Sequence, residues 1–402
     1  MATGAILLAS LGLFSGRLAL ADYLRQKPDL EAIRRSVHLN PFNPEGFRAK
    51  ALHEELQGKN SSQSWRMACQ LNPRDPRLLI PAGIQAEIAG DLASAEYYFK
   101  TAEKTNRLWL PRWTLANFYA RRGDSSQALF WIKSALERSY GQTQAAFQLA
   151  LDVGISEPVI AEQVLPDNAH SYGQFLLFLA SQPATGDRAR LLESSGRRYV
   201  ALSVQARPSA RDGQPLLVAI NRLLEDGYGL PARRLWDLGC EKAFIDEAPG
   251  SKDSPIVNGS LSRRFLGQAL DWKLIEQEGV ISVHHPGSGT VKYAFSGDQP
   301  DHLKLLVQTL ALTPNQAWRV HFDYRTEGIA PRQATFAWVL GEEPLSITGG
   351  FASESWATSS FLLPAANGER VTNLILTWHR QTGVTRPQGE LWIRNLQAER
   401  LP

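Results

Sequence analysis

The chain carries few residues arranged for chemistry. His321 and Asp323 alternate along one strand-like segment and so share a face, but an acid-base pair still needs a nucleophile and a pocket. His284-His285-Pro286 has no carboxylate cluster near it, so it does not read as a metal site. Cys69 and Cys240 are too few and too far apart for a disulfide framework or a zinc cluster, and they read as buried apolar thiols. There is no Gly-x-Ser-x-Gly elbow, phosphate-binding glycine loop, dinucleotide fingerprint or His-Glu-x-x-His helix. No catalytic residue, cofactor or metal ligand is expected, and the chain does not read as an enzyme. The residues that remain are of the binding kind. Trp356, in the polar run Ser353–Ser360, offers an aromatic face to a sugar ring, and Arg319, His321, Asp323, Arg325 and His379 offer planar polar groups for hydroxyls.

The elements that position such residues follow from composition and period. The 402 residues suffice for two or three domains, and 43% hydrophobic with 21% charged residues is ordinary globular material. A net charge of +3 is too small for a nucleic-acid footprint. Met1–Gly16 has no charged side chain, and with Arg17 tolerated the apolar run reaches Ala21. About twenty residues cross a bilayer as a helix. Residues 1–21 therefore read as a membrane anchor, as a signal cleaved after Ala19-Leu20-Ala21, or as a buried helix pairing with the next one. Arg25, Lys27, Arg34 and Arg35 follow the run and oppose an orientation that exports the bulk of the chain.

A repeat is the clearest signal from residue 22 to 143. Asn-Pro recurs at 40–41 and 72–73, and Gly-Asp at 90–91 and 123–124. Each Gly-Asp is followed by small-large-small positions: Ala95, Phe99 and Ala102, then Ala128, Ile132 and Ala135. The pattern resembles the tetratricopeptide repeat, with units at about 42–75, 76–108 and 109–142 and a half-unit at 22–40 against the apolar helix. That resemblance implies an α-solenoid whose first helices form a groove for a protein partner. It puts Lys50, His53, Arg77, Ile84, Trp113, Asn117 and Arg121 in that groove, the polar ones to grip a carboxylate or peptide backbone and Trp113 as an apolar shelf.

Residues 144–247 read as further helices or a cap, at Gln144–Leu151, Ser171–Ser181, Arg188–Val200, Pro215–Glu225 and Ala232–Glu241, with an arginine-rich face between Asp187 and Arg234. Residues 248–255 read as a linker. After it the period becomes two, predicting strands at Thr290–Phe295, His302–Leu312, Ala317–Thr326, Ala334–Leu340, Val371–Arg380 and Gly389–Gln397. In Trp318–Arg325, Trp318, Val320, Phe322 and Tyr324 point to a core, and Arg319, His321, Asp323 and Arg325 point away. Eight or nine strands without helices between them predict an antiparallel β-sandwich over 256–402.

The order Asn258-Gly, Asp271-Trp272, Leu312–Pro314 and Gly389–Asn395 resembles a jelly roll of the carbohydrate-binding-module type, although Arg394-Asn395 stands where such modules often have an aspartate. An apolar N-terminal helix, a repeat solenoid and a jelly roll together resemble bacterial envelope proteins of exopolysaccharide production. That resemblance implies a membrane-associated, non-catalytic scaffold at the inner membrane with its bulk extracytoplasmic. It would bind a protein of an envelope assembly; polysaccharide binding through the sandwich is the alternative.

Overall fold

The computed structural model describes residues 2–139, 141, 143–205, 212–246, 254–348 and 351–402, with the side chains of residues 2–9 outside the description. Two compact units divide the chain, 1–166 and 167–402, so the helices that follow Asp167 fall in the unit that holds the strands.

The first unit is a run of helix hairpins. Helices α1 (Ala2–Arg25) and α2 (Leu30–Leu39) pair, then α3 (Pro44–Leu56) with α4 (Ser62–Leu71), α5 (Pro76–Ile88) with α6 (Leu92–Thr105), and α7 (Trp109–Arg121) with α8 (Ser125–Leu136). Helix α9 (Gln144–Asp152), the single turn α10 (Glu157–Val159) and a π-helical turn (Ile160–Val164) complete it. These are tetratricopeptide-like units, with hairpins at Pro44–Leu71, Pro76–Thr105 and Trp109–Leu136. Local chemistry sets them. Asn43 and Asp75 cap α3 and α5 by accepting the amides of Glu45 and Arg77, and each precedes a proline at the first helical position. Gly90 and Gly123 take φ of +80° and +73°, closing α5 and α7, and the next residues, Asp91 and Asp124, cap α6 and α8. The first full unit lacks this Gly-Asp turn, and Ser61 makes no side-chain cap to α4.

The small-large-small positions are the contact surface. Ala95, Phe99 and Ala102 are fully buried, as are Ala128, Ile132 and Ala135. Phe99 lies against Gly83 so closely that a Cβ at 83 would stand 2.4 Å from the ring, and its edge meets Phe118 of the next unit at 5.3 Å. One ring thus closes a hairpin and joins it to its neighbour.

Arg17 of α1 donates from Nε to the Leu39 carbonyl at 2.7 Å, at the end of α2, and Ser36 Oγ donates to Ala21 O. The end of the apolar run is therefore tied to α2 at Arg17 and Ala21. Residues 10–16 are exposed. Among the described residues no helix is long and apolar enough to cross a membrane. Much of the expected anchor at 1–21 lies outside the described side chains.

In the second unit, α11 (Ala169–Ala180), α12 (Gly186–Gln205), α13 (Gln214–Glu225) and α14 (Gly229–Glu241) pack together. They dock on a sandwich of ten strands: β1 (Trp272–Leu274), β2 (Val280–His285), β3 (Thr290–Ser296), β4 (His302–Leu312), β5 (Trp318–Glu327), β6 (Phe336–Leu340), β7 (Glu343–Pro344), β8 (Ala357–Leu363), β9 (Arg370–His379) and β10 (Gln388–Arg400). Two antiparallel five-stranded sheets result, ordered β1-β4-β9-β6-β7 and β2-β3-β10-β5-β8. Gly229 of α14 sits against Ala311 and Val371, and Asn221 of α13 accepts the Ala269 amide, so the helices cover the first of these sheets. The expected linker falls largely on residues 247–253, which lie outside the described residues.

The inward residues of β5 are buried as expected: Trp318, Val320, Phe322 and Tyr324 are each at most 5% exposed. They join Trp272, Trp338 and Trp378 in one aromatic core. Large rings at inward positions of both sheets fill the space between them.

Replacing Gly83 by Val drives a branched side chain into the buried Phe99 ring. We expect a loss of about 1–3 kcal/mol in urea unfolding of the helical unit, an overpacking cost. An unchanged midpoint would show that the ring yields instead.

Candidate functional site

The first helices α1, α3, α5 and α7 stand side by side, and cross-unit ion pairs mark the face they share. Arg77 of α5 reaches Glu45 of α3 at 3.4 Å as well as its own cap Asp75 at 2.7 Å. Arg121 of α7 grips Glu87 of α5 through two hydrogen bonds of 2.8 Å. Between these pairs, on the same face of α5, Ile84 is 41% exposed. Helical spacing of three and four places residues 77, 80, 84, 87 and 88 on one stripe.

Five of the seven residues expected in the groove lie on this row: Arg77, Ile84, Trp113, Asn117 and Arg121. Trp113 stacks on Trp109 at 5.4 Å, a half-buried shelf, and Asn117 donates to the Trp113 carbonyl at 2.8 Å. Lys50 and His53 do not join them. Lys50 pairs at 3.7 Å with Glu54, itself buried and bonded to Ser64 of α4, and His53 contacts its own helix at Ala49 O. The α3 residues on the row are instead Glu45, Arg48, Leu52 and Leu56. The turn of the first unit is two residues longer than in the later units and its second helix four residues shorter than α6, so the first unit is out of register with them and positions read from the later units land one face away.

The charges of the row are closed on one another. Arg77 holds the Asp75 carboxyl below its usual range, chiefly by hydrogen bonding, and Glu87 raises Arg121 in the same way. The arginines expected to receive a partner's carboxylate are already engaged. The basic face of the second unit is closed likewise: Arg197 and Arg234 both bind Glu193, Arg198 binds Asp167, and Arg190 binds Asp187. Pairing holds the Glu193 carboxyl low, with Arg234 as the largest cause.

On the sandwich, Arg319, His321, Asp323 and Arg325 project from the outer face of the sheet β2-β3-β10-β5-β8, and Trp356 stands beside them at the start of β8. His379 is separate, at the end of β9 in the other sheet. The face carries two residues that the sequence reading left out, Trp392 and Arg394, both on β10. Trp392 lies opposite Lys292 and Arg325 in register, with the Arg325 guanidinium 4.0 Å from its ring. Arg394 covers Trp356 at 4.0 Å and reaches Asp323 at 3.3 Å, while Thr358 donates to Asp323 at 2.8 Å. Trp356 keeps 37% of its surface exposed. Alternation along Gly389–Asn395 carries the signal for both missed residues, since Leu391 and Ile393 point inward.

Among the described residues no three of His, Cys, Asp or Glu converge to hold a metal ion. Cys69 and Cys240 are buried free thiols, and burial, followed by the nearby Asp75, pushes the Cys69 thiol up to about 12.

Asp75 joins the row to the helix it starts, and its two roles separate by substitution. Asp75→Ala removes cap and charge and is expected to cost about 0.5–2 kcal/mol, whereas Asp75→Asn keeps the cap and costs less. The folded carboxyl titrates below its ordinary value, so its contribution is complete above pH about 4 and disappears as pH falls through the lowered value. Urea midpoints of the wild type and Asp75→Asn between pH 2 and 7 should converge at the acid end; parallel curves would contradict the pairing with Arg77.

No family model and no curated protein matches this sequence. Solved structures similar to part of it include Pseudomonas aeruginosa pilF, at 15% identity over 55% of this chain and 94% of that one, with a TM-score of 0.28. Another is YrrB, described as a TPR protein with an unusual peptide-binding site, at 12% identity over 53% and 93% with a TM-score of 0.26. A third is PilW, described as a widely conserved type IV pilus biogenesis factor, at 13% identity over 58% and 96% with a TM-score of 0.26. Scores this low decide nothing about function, and the repeat rests on the hairpin geometry itself.

Proposed function

We propose that this chain is a non-catalytic adaptor that seats a protein partner on the row formed by its first helices. What carries the reading is that row. Each hairpin buries one flank against its neighbour, and the opposite face of α3, α5 and α7 is left open and fixed by the Glu45–Arg77 and Glu87–Arg121 pairs. A preformed surface of this kind binds without first ordering itself. The finer reading places the adaptor at the bacterial inner membrane, in an assembly for envelope polysaccharide synthesis or export, with its bulk extracytoplasmic. The exposed, uncharged turns at residues 10–16 of α1 support attachment there, because an apolar helix end surrounded by water lowers its free energy in a bilayer.

Two variants test the adaptor reading: Trp113→Ala, and Arg77→Glu combined with Arg121→Glu. Trp113→Ala leaves the ion pairs intact, whereas reversing Arg77 and Arg121 sets like charges against Asp75, Glu45 and Glu87 and is expected to lower thermal stability slightly, so recovery is compared at a temperature where both variants remain folded. Crosslinked partner recovered from cells making the chain should fall at least about fivefold, as for loss of a central contact. Full recovery with both variants would end the reading.

The second reading, favoured by the exposed Trp356 beside Asp323, Arg394 and Thr358, is that the outer sheet face binds polysaccharide. Stacking on Trp356 then predicts that calorimetric titration of the full chain with envelope glycans gives a saturable signal which Trp356→Ala removes. Absence of heat with every glycan would exclude that role.

A further inference from the structure

The row has a second property, which rests on the adaptor reading and narrows it. On successive first helices, aliphatic residues stand in pairs four apart, and the pairs repeat every 32 residues: Leu20 and Leu24 on α1, Leu52 and Leu56 on α3, Ile84 and Ile88 on α5. Within each helix a spacing of four keeps both members on one stripe, and the ion pairs fix that stripe of α3 and α5 on the open face. The structure leaves five of these six side chains exposed, and Leu24 is half-buried. Leu56 is 82% exposed and Ile88 72%, with Leu20, Leu52 and Ile84 between 37% and 48%. On α7, set 33 residues on as the Gly-Asp turns are, the pattern stops, because Asn117 and Arg121 take the corresponding places. A ribbon three helices long therefore crosses the unit and ends at the Arg121–Glu87 pair.

Charge decides what fits it. The ionic groups beside the ribbon are closed internally: Arg48 and Arg77 on Glu45, Arg77 on Asp75, and Arg121 on Glu87, while Glu55 accepts from Ser61 and Trp65. A charged partner would have to break these pairs or place its own charge over leucine and isoleucine, and both are costly. An uncharged aliphatic segment needs neither and buries exposed apolar surface. Neighbouring helices lie about 8–10 Å apart, so the ribbon spans roughly 20 Å, which six or seven residues of extended chain cover.

We propose that the partner enters the row with a short, uncharged aliphatic segment lying across α1, α3 and α5, and that the groove arginines serve as internal braces and do not receive its carboxylates. The probes are a labelled seven-residue peptide of leucine, valine and serine and its counterpart with glutamate at alternate positions, titrated into the full chain by fluorescence anisotropy. The aliphatic peptide should bind at least about tenfold more tightly than the acidic one, and Leu52→Glu with Ile84→Glu should remove its binding at an unchanged circular-dichroism spectrum. Should that pair of substitutions disturb folding, Leu52→Gln with Ile84→Gln replaces it with the same expectation. Tighter binding of the acidic peptide, lost in Arg77→Glu, would overturn the aliphatic assignment and leave the adaptor standing. Binding of neither peptide, with concentration-dependent dimerisation or flotation on phosphatidylcholine vesicles that Leu52→Glu/Ile84→Glu removes, would give the ribbon to a second copy or to lipid and overturn the proposal. If neither peptide binds and partner recovery is also insensitive to the row, both readings fall together.

Discussion

A two-helix hairpin cannot cover its own apolar flank, and the first unit is built around that insufficiency. Phe99 shows how the difficulty is resolved. It fits only because Gly83 has no side chain, and having fitted, it presents an edge to Phe118 of the following unit. The same ring therefore stabilises a hairpin and creates the demand for the next one. Burying a side chain of this size contributes roughly 2–3 kcal/mol, which is large against the marginal stability of a helix pair alone. Stacking follows, and with it an exposed face that no neighbour in the stack can reach. The row of first helices is a geometric consequence of the way the second helices are packed.

That consequence also explains the charge pattern. Surface ion pairs contribute little to stability individually, typically under about 1 kcal/mol. Glu45–Arg77 and Glu87–Arg121 matter more for where they lie, since each joins first helices from adjacent units across the open face. They limit sliding between units without burying apolar area, so the aliphatic surface between them stays available. The sandwich handles its outer sheet differently. There, guanidinium groups stand over Trp392 and Trp356, covering part of the aromatic surface and leaving Trp356 the more open of the two.

Local chemistry was legible in the sequence wherever one residue type has one physical role. Pro after the second helix, Gly-Asp at the turn and alanines flanking Phe99 each encode a single structure, and the helix hairpins carry these signals at their turns and contacts. Strands with strict alternation, such as Trp318–Arg325, were equally readable. The four edge strands were not: β1 and β7 carry too few residues for a period to emerge, β2 runs into His284-His285-Pro286, and β8 begins inside the polar run around Trp356. Register across units was harder still. The repeat resemblance puts Lys50 and His53 on the open face, but the first unit has a longer turn and a shorter second helix, and Lys50 pairs with Glu54 beside α4 while His53 bonds back to its own helix. Arg17 shows a third limit, for an arginine in an apolar run suggests a headgroup, whereas here it caps the final carbonyls of α2.

Chain order and surface character then combine into an argument about partners. The aliphatic pairs stand on α1, whose residues 10–16 are uncharged and exposed, and they recur on α3 and α5. An apolar ribbon that served only as incidental surface would have no reason to keep a 32-residue phase across three helices of otherwise different composition. Random exposure of leucine and isoleucine is common on proteins, but contiguous exposure on aligned positions is not. The helix stack sets the phase, and a ligand that touches all three helices at once is what gives aligned positions an advantage over scattered ones.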